Sequence, residues 1–247
     1  MRVVALDTTT RAGSAALVID DRVVDERSGD GALTHALRLP GEILTLADGN
    51  HWPLSGVDLY AVASGPGSFT GLRIGIATIQ GLAFVHGRQI VAVPALDALA
   101  HAASAELPEG SLIAAWMDAR RHDVFAALYQ VTDAPPFSRA RLIEVEGPTV
   151  GSPASTLARW KGLATGLPPL FVGDGATLYA AEIAGAAPSA RALAAPLLAG
   201  AIGRLAIARA SDALDPAAIR PLYVRRTDVE IARDEKVLST RLNPKDT

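Results

Sequence analysis

The chain contains no cysteine. That absence excludes disulfides, thiolate nucleophiles, iron–sulfur ligation and Cys-type zinc sites, and with them several enzyme classes. No apolar run reaches the roughly 18 residues that would suggest a membrane span. Met1-Arg2 leads at once into a strand-like segment unlike a signal peptide, so the expectation is a cytoplasmic protein with no membrane contact. The five histidines, His35, His51, His86, His101 and His122, include no pair at the i, i+4 spacing of a metal-binding helix face. A net charge of −3 argues against a broad nucleic-acid surface. Apolar material, by contrast, is plentiful. With 49% hydrophobic and 20% charged residues over 247 positions, the chain has enough to bury one large core or two modest ones.

The densest of that material runs from Leu59 to His86, LYAVASGPGSFTGLRIGIATIQGLAFVH. Leu59 to Ala63 read as a buried strand that stops at the turn-formers Ser64 to Gly67. Ser68 or Thr70 then caps a helix starting near Gly71, which makes the turn a generic anion site of low specificity. No side of that helix is polar. Leu72, Ile76, Ile79 and Ala83 form one stripe; Gly71, Ile74, Gly75, Thr78 and Leu82 form a second. Mid-helix glycine costs ~1 kcal/mol relative to alanine, so Gly71 and Gly75 imply a close contact. By pattern alone the second stripe is as much an internal face as a docking face.

Upstream, Val3 to Leu6 ends at Asp7 and opens an antiparallel meander through Ser14–Ile19 and Arg22–Glu26. A helix over Thr34–Ala47 carries Leu37, Leu44 and Ala47 on one side and Leu39, Ile43 and Leu46 on the other. Ile90–Val93 is a strand and Pro94–Ala105 an alanine-rich helix. The pattern then restarts. Leu112–Met117 ends at Asp118 as the first strand ended at Asp7, FAALY answers SAALV, Ala140–Val145 is a third strand, and Leu170–Val172 ends at Gly173-Asp174-Gly175. This predicts an α/β fold made of two mixed-sheet halves, residues 1–105 and 106–225, with a cleft between them. Gly147–Pro153 and Gly162–Pro169 read as loops around a short helix at Ala154–Trp160. A helix near 192–210 packs back on the first half, Pro221–Val224 is a last extended piece, and 226–247 is a polar tail.

Two strand-ending acids at equivalent points of a duplicated fold, Asp7 and Asp118, would face each other across the cleft. Phosphate-grasping hairpins favour glycine beside the acid, where backbone N–H groups must come close. Here the residues are Asp7-Thr8-Thr9 and Asp118-Ala119-Arg120. Thr8, Ser68, Arg120 and Asp174 remain candidates for anion contact beside the two acids. Alternatively the acids simply fix their own turns.

The strings ALDTTT, SAALV, THALRLPGEI, SGPGSFTGLRIGIATIQGLA, DARRHDVFAALY, VGDGA and PLYVR, in this order and spacing, resemble the bacterial TsaB (YeaZ) family from Val3 to about Arg225. The resemblance implies a duplicated ribonuclease-H-like fold of the actin type. It also implies a non-catalytic subunit in the threonylcarbamoylation of tRNA adenosine next to the anticodon. Expected partners are the catalytic paralogue TsaD and the ATPase TsaE, which would hold the ATP and metal; this chain would bind no cofactor and reach tRNA only indirectly. The catalytic sister family carries a His-x-x-x-His metal pair where this sequence has Ala95 and Leu99. The resemblance also assigns the second stripe to a subunit interface carried by His35, Leu39, Ile43, Gly71, Ile74, Gly75, Thr78 and Leu82, through which the isolated chain would form a homodimer. The alternative is a stand-alone nucleotide-dependent kinase or transferase of the same fold.

Overall fold

Alternation along the first strand sends Val4 and Leu6 to one side and Val3 and Ala5 to the other, all of them buried, so this strand needs cover on both faces. The computed structural model of the protein, which describes residues 1–161 and 168–225, shows what supplies it. β1 (Arg2–Asp7) pairs antiparallel with β2 (Ser14–Ile19), and β2 with β3 (Arg22–Ser28). After α1 (His35–Gly49), β4 (Leu59–Gly65) lies parallel to β1; α2 (Phe69–His86) crosses to β5 (Ile90–Pro94), and α3 (Ala95–Ser104) ends the half. The second half holds β6 (Leu112–Asp118), β7 (Val124–Val131), β8 (Leu142–Gly151), α4 (Pro153–Trp160), β9 (Leu170–Val172), α5 (Asp174–Leu178), α6 (Ala180–Ala186), β10 (Arg191–Leu193) and α7 (Ala199–Ala208). The sheet orders are β3-β2-β1-β4-β5 and β8-β7-β6-β9-β10, with matching strand directions. This is a duplicated ribonuclease-H-like fold.

Five layers result. α1 and α2 cover the outer face of the first sheet through Leu39, Ile43, Leu46, Ile76, Ile79 and Ala83. Helices α4, α5 and α6 cover the outer face of the second, where Trp116, Trp160 and Phe171 pack together. Between the sheets lie α3 and α7, in one core that draws on both inner faces. Each of these two helices serves the other half's sheet: α3 touches β6 and β7, and α7 touches β1, β2 and β4. The N-terminus of α7 is held by the first half, since Ser14 Oγ accepts from Ala199 N at 3.0 Å and Glu26 Oε1 from Gly200 N at 2.8 Å.

Several expectations need correction. The helix expected from 192 begins at Ala199, because Pro196 removes a donor and Arg191–Leu193 pairs with β9 instead. Gly147–Gly151, expected as loop, continues β8, and the helices α5 and α6 had no sequence counterpart. Pro221–Val224 joins no ladder, although Leu222 N donates to Ser64 O at 2.7 Å. The expectations for 162–167 and 226–247 lie outside the described residues.

The larger correction concerns the interface stripe. Leu39 and Ile43 are buried against the chain's own sheet, and His35 is buried beneath the β1–β2 turn. Gly71 and Gly75 face Thr8: a β-carbon at either would overlap the Thr8 carbonyl or side chain. The close contact those glycines serve is internal. Ile74, Thr78 and Leu82 are half-buried, and Ile74 and Leu82 flank the same core.

Two measurable consequences follow from this packing. Gly75→Val should lower unfolding stability by about 3 kcal/mol, as overpacking does, whereas Gly81→Ala, which meets open space on the same helix, should raise it by up to ~1 kcal/mol in urea unfolding. His101, fully enclosed on α3, has its pKa pushed down to about 4, chiefly by burial, with Asp97 pulling it up and Arg209 and Arg141 pushing it further down. Its folded pKa lies below the unfolded value of 6.5, so the unfolded chain binds the extra proton and stability falls as pH drops from 6.5 towards 4. The loss attributable to His101 should approach about 3 kcal/mol, and His101→Gln should flatten the slope.

Candidate functional site

The two strand-ending acids sit where the halves meet, and each spends its carboxylate on its own hairpin. Asp7 Oδ1 accepts from Thr9 N at 2.9 Å and from Thr9 Oγ1 at 2.7 Å, while burial raises its pKa against those two bonds. Asp118 Oδ1 accepts from Arg120 N at 2.8 Å, and its other oxygen pairs with the Arg120 guanidinium at 3.0 Å. Asp174 Oδ1 accepts from Asp118 N at 3.0 Å and from Gly175 N at 2.9 Å, tying α5 to the end of β6. Thr8 is buried under α2, and its hydroxyl finds no hydrogen-bond partner among the described residues.

Above these turns opens a cleft of about 1030 Å³. Ser68, Asp118, Arg120 and Asp174 line it; Asp7 and Thr8, expected there, do not. Ser68 caps α2, accepting from Gly71 N at 3.2 Å. Five arginines also line the cleft: Arg11, Arg73, Arg120, Arg121 and Arg225. Arg73 lies 4.0 Å from the centre of the Phe69 ring, which stacks on Tyr223 at 5.1 Å, and its Nε donates to Tyr223 at 3.0 Å. Arg225 pairs with Asp123 and donates to Ala119 O. With five arginines against two acids, the lining of the cleft carries a net positive charge. The backbone around it is unusual, since Arg120, Arg121 and His122 all have positive φ, at 60°, 57° and 60°.

Sequence reasoning missed Arg38. It is buried on α1, where it pairs with Glu42 at 2.5 Å and donates to the carbonyls of Arg11 and Ala12. Beside it, His35 Nε2 donates to Thr10 O at 3.0 Å and Nδ1 accepts from Arg38 at 2.7 Å. That arrangement needs a neutral ring, in accord with a pKa lowered by burial. The signal available was i, i+3 and i, i+4 spacing of His35, Arg38 and Glu42, but spacing alone does not say that such a trio turns inward.

The remaining candidate surface is the outer side of α1 and α2. Leu37 is 71% exposed and Leu44 51%; on α2, Phe84 is 81% and Val85 76% exposed. Gly41 and Gly81 on the same outward faces meet no neighbouring atom. Ala95 and Leu99, by contrast, lie fully buried on α3 and offer no donor to a metal. Among the described residues no three His, Asp or Glu side chains gather as a metal set.

Comparison with known proteins places this geometry. A family model described as TsaD: tRNA N6-adenosine threonylcarbamoyltransferase matches residues 31–232. The tRNA threonylcarbamoyladenosine biosynthesis protein TsaB of Haemophilus influenzae is 35% identical over 127 residues, which are 51% of this chain and 52% of that protein. The chain thus spans about half the length of that curated relative. Two solved structures from Pseudomonas aeruginosa match far more fully. A protein described as similar to peptidase YeaZ has a TM-score of 0.72 at 29% identity, covering 91% of this chain and 99% of that one. YeaZ itself has a TM-score of 0.68 at 30% identity, covering 90% and 99%. By sequence pattern, fold and these matches, the chain belongs to the TsaB (YeaZ) family.

Proposed function

We propose that this chain is the docking subunit of a tRNA threonylcarbamoyladenosine-forming assembly. It binds a catalytic TsaD-type subunit through the outer side of α1 and α2, while a TsaE-type ATPase joins the complex and the partners hold ATP and metal. The observation that carries the reading is the exposed apolar set Leu37, Leu44, Phe84 and Val85 on two adjacent helices. Large side chains held that far into water mark an interaction surface. The open positions Gly41 and Gly81 would let a second helix pair approach closely, and a stable contact buries about 800 Å² per partner. In the absence of the catalytic partner the same surface pairs two copies of this chain. Of the residues named from the resemblance, His35, Leu39, Ile43, Gly71 and Gly75 support this surface from below, while Ile74, Thr78 and Leu82 stay partly exposed on α2.

The alternative, a self-sufficient nucleotide-dependent enzyme, would use the arginine-lined cleft. The carboxylates of Asp7 and Asp118 are engaged within their hairpins, and neither hairpin has glycine beside its acid. This favours docking over chemistry.

Both readings are separable on the purified chain. Leu37→Asp with Phe84→Asp should leave the melting temperature within a few degrees, since both positions are exposed, yet weaken co-elution with the TsaD-type subunit by about 30-fold or more, the scale of a lost interface anchor. Unchanged co-elution would reject the surface. Saturating ATP should leave the melting temperature of the chain alone unmoved; stabilisation by ~2.7 kcal/mol, as expected at 100 times a dissociation constant, would favour the nucleotide enzyme.

A further inference from the structure

Charge is unevenly placed on this chain. Its formal net charge is −3, yet the cleft between the halves is lined by five arginines and only two acids, Asp118 and Asp174. The arginines come from four separate segments: Arg11 from the β1–β2 turn, Arg73 from α2, Arg120 and Arg121 from the β6–β7 turn, and Arg225 from the chain after α7. Arg120 pairs with Asp118, and Arg225 with Asp123. Arg11 and Arg73 spend only Nε on the protein, donating to Gly31 O at 2.6 Å and to the Tyr223 hydroxyl at 3.0 Å; their terminal nitrogens have no partner among the described residues. A guanidinium anchored in this way keeps its outer edge for a ligand, and phosphate oxygens fit that edge.

Phosphates packed together on one small molecule are a poor match for this lining. Neither hairpin has glycine beside its acid to let backbone N–H groups close in, and the carboxylates of Asp7 and Asp118 are already engaged. Guanidiniums carried on four segments around about 1030 Å³, the upper end of the small-molecule range, suit phosphates spaced along a chain. Aromatic surface accompanies the charge. Phe69 and Tyr223 both line the cleft, and each is 40% exposed. A cationic groove that follows a backbone, with rings on which bases can lie, is the combination that holds single-stranded nucleic acid. An acidic peptide would use the charge and have no base to lay on the rings.

We propose that this cleft binds a short stretch of single-stranded RNA directly, with Arg11 and Arg73 on its phosphates and a base against the Phe69–Tyr223 pair. The family resemblance implies only indirect contact with tRNA, so this is a contact of the chain's own. The choice of RNA among polyanions rests on the proposed role in tRNA modification; the arginines and rings lie apart from the exposed leucines, Phe84 and Val85 of the docking surface.

The test is fluorescence anisotropy of a short fluorescein-labelled oligouridylate titrated with the full chain, no partner subunit being present. The expected result is saturable binding that weakens about sevenfold as salt rises from about 50 to about 200 mM, the dependence for two phosphates neutralised on a single strand. Arg11→Gln with Arg73→Gln, both at exposed positions, should weaken binding about tenfold or more at the lower salt and remove most of the salt dependence, with an unchanged melting temperature as the check on folding. Arg22→Gln, an exposed arginine of β3 outside the cleft lining, should leave the affinity as it was. The proposal is overturned by absence of saturable binding, by equal loss in Arg22→Gln, or by affinity unaltered in the double variant. Displacement by tripolyphosphate or hexaglutamate as effective, charge for charge, as by unlabelled oligouridylate would overturn it too, in favour of a small phosphate or an acidic peptide. Since no partner is in the cuvette, failure here leaves the co-elution test of the docking reading untouched.

Discussion

The rest of the structure depends on how closely α2 can lie against the first hairpin. Gly71 and Gly75 bring the helix backbone onto Thr8, and Ser68 N donates to Thr9 O at 2.8 Å, so turn and helix start are fixed to the same hairpin. With that contact made, Leu72, Ile76, Ile79 and Ala83 reach the sheet, and the opposite side of the helix is left facing outward. Two glycines thereby settle which side of the helix is held against the hairpin. A helix with a polar outer side would have needed no partner; this one keeps Phe84 and Val85 in water.

The same economy runs through the centre of the molecule. α3 and α7 stand between the sheets, and each closes the half from which it does not come. Ser14 and Glu26 cap a helix more than 170 residues later in the chain, and Asp97 on α3 pairs with Arg209 after α7. The halves are thus joined by core, cap and ion pair.

Much of this was legible in the sequence. Strand ends were marked by Asp7, Asp118 and the glycine-rich turns, and the repeated meander announced the duplication. What failed did so for physical reasons. Glycine at positions 71 and 75 signals close approach without saying to what, and the contact proved to be Thr8. Periodicity gave two stripes on α1 but not their direction: Leu39 and Ile43 went inward, Leu37 and Leu44 outward. Leu193 and Leu197 kept helical spacing across a proline and a strand, so the start of α7 was placed too early. Arg38, Phe69, Tyr223 and the ring of arginines acquire their roles only when distant segments meet.

The docking account makes one demand on the cell. In bacteria depleted of this chain and complemented with either the wild-type sequence or the Phe84→Asp variant, nucleoside mass spectrometry of tRNA should show threonylcarbamoyladenosine restored by the first and markedly lower with the second at equal protein abundance. Full modification without the chain, or equal restoration by both, would contradict the claim that its work is to present this surface.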